Sequence, residues 1–209
     1  MNAATPIFAL VCLAVLDLPA RAQPGQGGQS RPSPIAFLKQ HDEKVKKILA
    51  QAPQDTLPAA QRAQVKQLIN AAFDFAELSR LALGDHWEQR TSEERAHFTR
   101  TFSAIIEEQN FDSFVRYYRE GKIDYVSEEI SGGQARVAAQ VPLKREQIAI
   151  TYLLHVLDDQ WRVYDLVIDG VSTAEGNRRR YARYLEKNSY QQLIEQLDKQ
   201  LARLHQSRS

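Results

Sequence analysis

A change of hydrophobic period near Lys122 limits this fold more than any other feature. Before that point apolar residues recur three and four apart. From Ile123 to Asp169 they alternate with polar ones, and afterwards helical spacing returns. Within the alternating region Ile148, Ile150, Tyr152, Leu154 and Val156 share one face of a strand expected over Gln147 to Leu157, and Val137, Ala139 and Val141 face similarly from Ala135 to Val141. Strands are also expected at Ile123 to Ser127, with Tyr125, and at Gln160 to Asp169. Gly132-Gly133, a loop around Lys144 to Glu146, and Asp158-Asp159 are too short to carry crossovers, so the strands form an antiparallel meander. Helices on both sides make this an α+β domain, a four-stranded antiparallel sheet with N-terminal and C-terminal helices.

Cap residues set the helix ends. Ser33 with Pro34 opens a first helix striped by Leu38, Val45, Ile48 and Leu49, and a second carries Val65, Leu68, Ile69 and Ala72. Asp74 with Glu77 opens a third, which Gly84 ends, and Thr91 with Glu94 is a capping box for a long fourth. In that fourth helix Phe98, Phe102, Ile105 and Ile106 share one face, whereas Phe111, Phe114, Val115 and Tyr118 share another. The phase jump predicts a bend or break near Gln109-Asn110. Ser172 with Glu175 opens a helix bearing Tyr181, Tyr184 and Leu185. Ser189 with Gln192 opens the last, striped by Leu193, Leu197, Leu201 and Leu204.

Ile7 to Leu16 is a short apolar run closed by Asp17 and Pro19, and Ala20-Arg21-Ala22 supplies a small-x-small cleavage pattern. This predicts a signal peptide over residues 1–22 and export, with a mature start at Gln23. Residues 23–34 read as a flexible tether, and 35–205 as a single domain. The one cysteine, Cys12, falls inside the signal, so the mature chain is expected to hold no disulfide, thiol nucleophile or thiolate metal site. A net charge of +1 gives no field for nucleic acid.

The chemistry-bearing residues form no recognisable constellation. His41, His86, His97, His155 and His205 lack metal-ligand spacing, and no nucleotide-binding glycine motif or G-x-S-x-G is present. Asp165 and Asp169 lie at even spacing with Trp161, Val163 and Val167, so a carboxylate among apolar neighbours could act as a raised-pKa base. The plainer reading is a structural acceptor and a turn residue. Arg178, Arg179 and Arg180 point about 100° apart on a helix and cannot grip one phosphate together. Arg178 alone borders the Tyr181 stripe, placing it either at a cavity mouth or on a solvated face.

Two blocks resemble the MlaC family, the periplasmic phospholipid-binding carriers also called toluene-tolerance proteins. One comprises Phe73-Asp74-Phe75, Leu78, Arg80 to Gly84 and His86-Trp87, followed by Thr91, Glu94-Arg95 and Phe98. The other comprises Tyr152, Leu154, Trp161 to Asp165 and Gly170-Val171-Ser172. After that last serine the family usually shows an Asn-Tyr-Arg step. Here Gly176-Asn177 stand in the first two places and only Arg178 agrees. The resemblance implies a nuclear-transport-factor-two-like domain with added helices, no catalysis, no cofactor and no metal. It also implies phospholipid as ligand, carried between an outer-membrane lipoprotein complex and an inner-membrane ABC transporter so as to maintain outer-membrane lipid asymmetry. A related branch handles hopanoids. Two further readings stay open on the residues: a small-molecule isomerase or dehydratase of the same cone shape using Asp165 or His155, and a scaffolding protein with a solid core. Apolar positions alone do not separate core from cavity. If there is a cavity, its expected lining is Phe98, Phe102, Ile105, Phe114, Tyr118, Tyr125, Val137, Ala139, Val141, Ile148, Ile150, Tyr152, Leu154, Val163, Val167, Tyr181 and Tyr184, with Arg178 at the headgroup.

Overall fold

The computed structural model describes residues 31–206, except 55, 121, 144 and 145. The expected signal peptide and most of the tether lie outside them. The described residues form helices α1 (Pro34–Leu49), α2 (Ala59–Ala71), α3 (Phe75–Leu83) and α4 (Ser92–Glu120). Strands β1 (Asp124–Ser131), β2 (Gln134–Pro142), β3 (Gln147–Leu157), β4 (Gln160–Ile168) and β5 (Val171–Ser172) follow. Helices α5 (Thr173–Leu185) and α6 (Tyr190–Gln206) complete the order. The sheet is an antiparallel meander in the order β1-β2-β3-β4-β5. It has five strands rather than four: Asp169 and Gly170, at φ 47° and 82°, turn the chain back so that Val171 pairs with Ile168 and Ser172 with Val167. A two-residue strand is too short to leave an alternating pattern.

The caps form where the side chains allow. Ser33 accepts from the Ala36 amide, Asp74 from Glu77 and Ser172 from Glu175, at 3.2, 2.9 and 3.0 Å. Thr91–Glu94 and Ser189–Gln192 close reciprocal boxes. Gly84 ends α3 at φ 57° and ψ −134°, a region that side-chain-bearing residues avoid. A Cβ there would come within 3.1 Å of the Arg178 stem.

The expected break in α4 does not occur. The helix runs unbroken for 29 residues, and the apolar face rotates because its packing partners change. Phe98, Phe102 and Ile105 pack against α3, α5 and α6, with Tyr181 standing edge-on to both phenylalanines. Phe111 then packs with Val45, Leu49 and Val65 of α1 and α2. Tyr117, Phe114 and Tyr118 face the sheet cluster, where Phe37, Val137, Ile150, Leu154 and Val163 meet. A phase jump can mark a change of neighbour as readily as a kink.

A bulge decides which residues of β4 face inward. Leu153 pairs with Asp165 but Leu154 with Val163, so Tyr164 is one residue too many and the alternation slips. Beyond it Leu166 and Ile168 join the sheet cluster, Val167 does not, and Asp165 leaves the face of Trp161 and Val163. The expectation for Val167 as a cavity residue is therefore corrected to its two neighbours.

Candidate functional site

Two small apolar cavities lie side by side in the wedge between α2, α4 and the sheet. One is lined by Ile69, Phe73, Phe75, Leu78, Ile106, Phe111, Phe114, Leu166 and Ile168, with Lys66, Asn70, Glu107 and Asn110 as its polar members. The other is lined by Leu38, Val45, Leu68, Ile69, Ala72, Phe73, Phe114 and Val163, with His41, Asp42, Tyr118 and Tyr152 as its polar members. They hold about 30 and 40 Å³ of free space respectively. Ile69, Phe73 and Phe114 border both, so these three side chains form the partition between them.

Phe73 holds its place through backbone bonds. It makes an isolated parallel bridge with Val163, in which the Asp74 amide donates to the Val163 carbonyl and the Val163 amide to the Ala72 carbonyl, both at 2.8 Å. The α2–α3 junction is thus stitched to β4 at the cavity wall. Helix α2 itself is held differently. Within it Val65 is the one fully buried apolar side chain, and the remaining ties to α4 are largely polar. Arg62 bonds Asp112 at 2.9 Å and lies over the Phe111 ring. Lys66 reaches Glu107 at 2.8 Å and also Glu108, and Asn70 donates to Glu107.

The second cavity contains a buried carboxylate that the sequence reading missed. Asp42 is 5% exposed and accepts from Tyr118 Oη at 2.8 Å and Tyr125 Oη at 2.7 Å, so α1 is clasped to α4 and β1. Burial raises the Asp42 pKa, opposed by those two hydrogen bonds and by Lys46. Burial and the neighbouring carboxylate push the Tyr118 and Tyr125 hydroxyls well up, and Tyr152 rises as well, so all three stay neutral. His41 shifts down, mainly through burial. One signal could have revealed Asp42: it stands on the apolar stripe of α1 with Leu38, Val45 and Leu49.

A prediction follows from the sign of that shift. A carboxyl whose folded pKa lies above its unfolded one contributes stability that is fully present below the ordinary carboxylate range and is lost as pH rises through the folded value. Asp42→Asn approximates the protonated form. The melting temperature of wild type minus that of Asp42→Asn should therefore fall as pH is raised from about 4 to about 8. A difference that stays flat across that range would contradict this reading of Asp42.

Apart from Val167, the expected lining divides into three groups. Phe114, Tyr118, Tyr152 and Val163 border the cavities. Val137, Ala139, Val141, Ile148, Ile150, Leu154 and Tyr125 belong to the packed cluster behind them. Phe98, Phe102, Ile105, Tyr181 and Tyr184 sit in the separate α3–α4–α5–α6 cluster and border neither cavity. Arg178 also lies away from both. It pairs with Glu175 at 2.8 Å, is half exposed, and lines an outer groove with Arg80, Asp85, Tyr164 and Asp165.

The residues of the enzyme reading have structural partners. Asp165, 3% exposed, accepts from the amides of Leu166 and Ala174 at 2.9 and 3.0 Å and from Ser172 Oγ at 2.5 Å. It therefore fixes the β4–β5–α5 corner. His155 Nε2 lies 2.9 Å from Oδ2 of Asp74, whose other oxygen caps α3. Among the described residues no group of three or more His, Cys, Asp or Glu could hold a metal ion, and no helix is long and apolar enough to cross a membrane.

A family model described as MlaC protein matches residues 39–199, from within α1 to within α6. The chain belongs to the MlaC family. Every residue bordering the two cavities except Leu38 falls inside the MlaC match. Among solved structures, a phospholipid-binding protein from Ralstonia solanacearum, determined in complex with a phospholipid, is similar. It is 20% identical with a TM-score of 0.70, and the match covers 81% of this chain and 97% of that one. At that identity the likeness establishes a shared fold. No curated protein matches the chain.

Proposed function

We propose that this protein is a periplasmic phospholipid carrier that takes a lipid into the wedge between α2, α4 and the sheet and performs no chemistry on it. The observation that carries this reading is the pair of adjoining apolar cavities, which share Ile69, Phe73 and Phe114 as lining, in a chain of the MlaC family. Each methylene withdrawn from water is worth about 0.8 kcal/mol, so two acyl chains of roughly 30 methylenes would cost on the order of 20 kcal/mol if exposed. A carrier must enclose nearly all of them to compete with a bilayer.

Cavities of about 30 and 40 Å³ fall well short of that need; pockets for drug-sized ligands occupy about 300–1,000 Å³. Loading then requires the wedge to widen. Helix α2 is the wall suited to yield, since Val65 is its single buried residue and its ties to α4 are ones that water can replace. The sheet and the α3–α4–α5–α6 cluster remain as the rigid frame. In this reading the partners are the outer-membrane lipoprotein complex and the inner-membrane ABC transporter between which carriers of this family shuttle, maintaining lipid asymmetry.

Transfer between vesicles tests the proposal. Donor vesicles with a labelled diacyl phospholipid, acceptor vesicles without it, and catalytic amounts of the protein should give transfer that scales with protein concentration, and the recovered lipid should keep both esters. No transfer above the spontaneous rate, or recovery of cleaved lipid, would overturn it.

A further inference from the structure

The polar lining of the first cavity is gathered along one seam. Apart from Thr173, whose hydroxyl donates to the Leu166 carbonyl, it consists of Lys66 and Asn70 on α2 and Glu107 and Asn110 on α4, pairs one turn apart on the two helices. Lys66 reaches Glu107 at 2.8 Å, and these two side chains are 19% and 18% exposed, so the seam runs from the cavity to the surface. The donors of the seam are turned elsewhere. Lys66 serves Glu107 and Glu108, and Asn110 Nδ2 donates to the Ile106 carbonyl at 2.7 Å.

Asn70 is left with one acceptor to satisfy. Its Nδ2 donates to Glu107, which fixes the orientation of the amide, because the flipped form would set carbonyl oxygen against carboxylate. The remaining atom, Oδ1, is fully buried and has no hydrogen-bond partner among the described residues. The adjoining free space of about 30 Å³ has room for roughly one or two waters. A lipid entering that space displaces water from Oδ1. It must then supply an N–H or O–H of its own or leave a buried acceptor unpaired.

We propose that Asn70 Oδ1 is the selecting contact for the lipid headgroup, and that the ligand class is phospholipid whose headgroup carries an N–H or O–H donor. The inference rests on the carrier reading above. The headgroup lies in the α2–α4 seam, within reach of water, and the acyl chains extend past Phe73, Phe111 and Phe114. An ammonium N–H and a glycerol hydroxyl both satisfy Oδ1, so selection follows the donor and not the charge of the headgroup. A choline headgroup has no such donor. Its methyl groups would cover Oδ1 and keep water from it.

The test is competitive loading. Delipidated full-length protein is incubated with vesicles holding equal parts of phosphatidylethanolamine, its N,N-dimethyl derivative, phosphatidylcholine and phosphatidylglycerol with identical acyl chains, and bound lipid is read by native mass spectrometry. The dimethyl lipid is nearly as bulky as the choline lipid but keeps one N–H. It should load like phosphatidylethanolamine and phosphatidylglycerol, with phosphatidylcholine about five- to tenfold below all three, as one unpaired acceptor requires. In Asn70→Leu, a change close in shape, phosphatidylcholine should load with the others; the wild-type ranking decides alone should that variant fail to fold. Equal loading of the four lipids, a ranking by bulk or by charge, or an unchanged choline deficit in folded Asn70→Leu would overturn the contact and leave the carrier standing. Loading of none would overturn both.

Discussion

Asp165→Ala is expected to cost about 3–5 kcal/mol of folding stability, because hydrogen bonds to an ionised group contribute roughly 1.5–3 kcal/mol each and three donors lose their acceptor at once. The amides of Leu166 and Ala174 and the hydroxyl of Ser172 converge on this carboxylate at the corner where β4 passes through β5 into α5. With total stabilities of about 5–15 kcal/mol for domains of this kind, the variant should melt far below wild type. Urea denaturation measures it. A loss under about 1 kcal/mol would show that the corner is held by other contacts, and would return Asp165 to the enzyme reading as a carboxylate free to act.

The second large effect separates the cavity from the core. Val137 is wholly buried in the sheet cluster and borders neither cavity, so Val137→Glu places a carboxylate with no route to water and should unfold the protein. Ile69 is half-buried, borders both cavities, and lies on the polar-tied helix α2. Ile69→Glu should therefore fold, with a denaturation midpoint near that of wild type, yet its lipid loading should fall by about tenfold or more, since a chain would have to pass or solvate a charge. Circular dichroism beside lipid content per folded molecule distinguishes the pair. If Ile69→Glu unfolds as Val137→Glu does, the wedge is ordinary core.

Much of the frame was legible because it is written locally. The caps of α1, α3, α4, α5 and α6 are side chains one turn from the amides they serve, and the meander follows from short turns and the alternation within β2 and β3, so β3 appears with the bounds its residues predict. What escaped was set by distant partners. The bulge at Tyr164 moves Leu166 and Ile168 inward in place of Val167, and nothing in the local pattern marks the slip. Helix α4 stays continuous through a phase change because three different clusters succeed one another along it. The site is less legible still. Aromatic residues such as Phe98 and Tyr181 satisfy any apolar pattern but pack against α6, away from the wedge, whereas Lys66, Asn70 and Glu107 look like ordinary surface residues until α2 is laid against α4. Asp42 was readable in principle, as an acid on an apolar stripe.

Native mass spectrometry of the protein, purified without detergent from cells with normal membranes, bears most directly on the carrier claim. The dominant species should be heavier than the polypeptide by the mass of one diacyl phospholipid, released intact by organic solvent. A bare polypeptide mass under those conditions would contradict it.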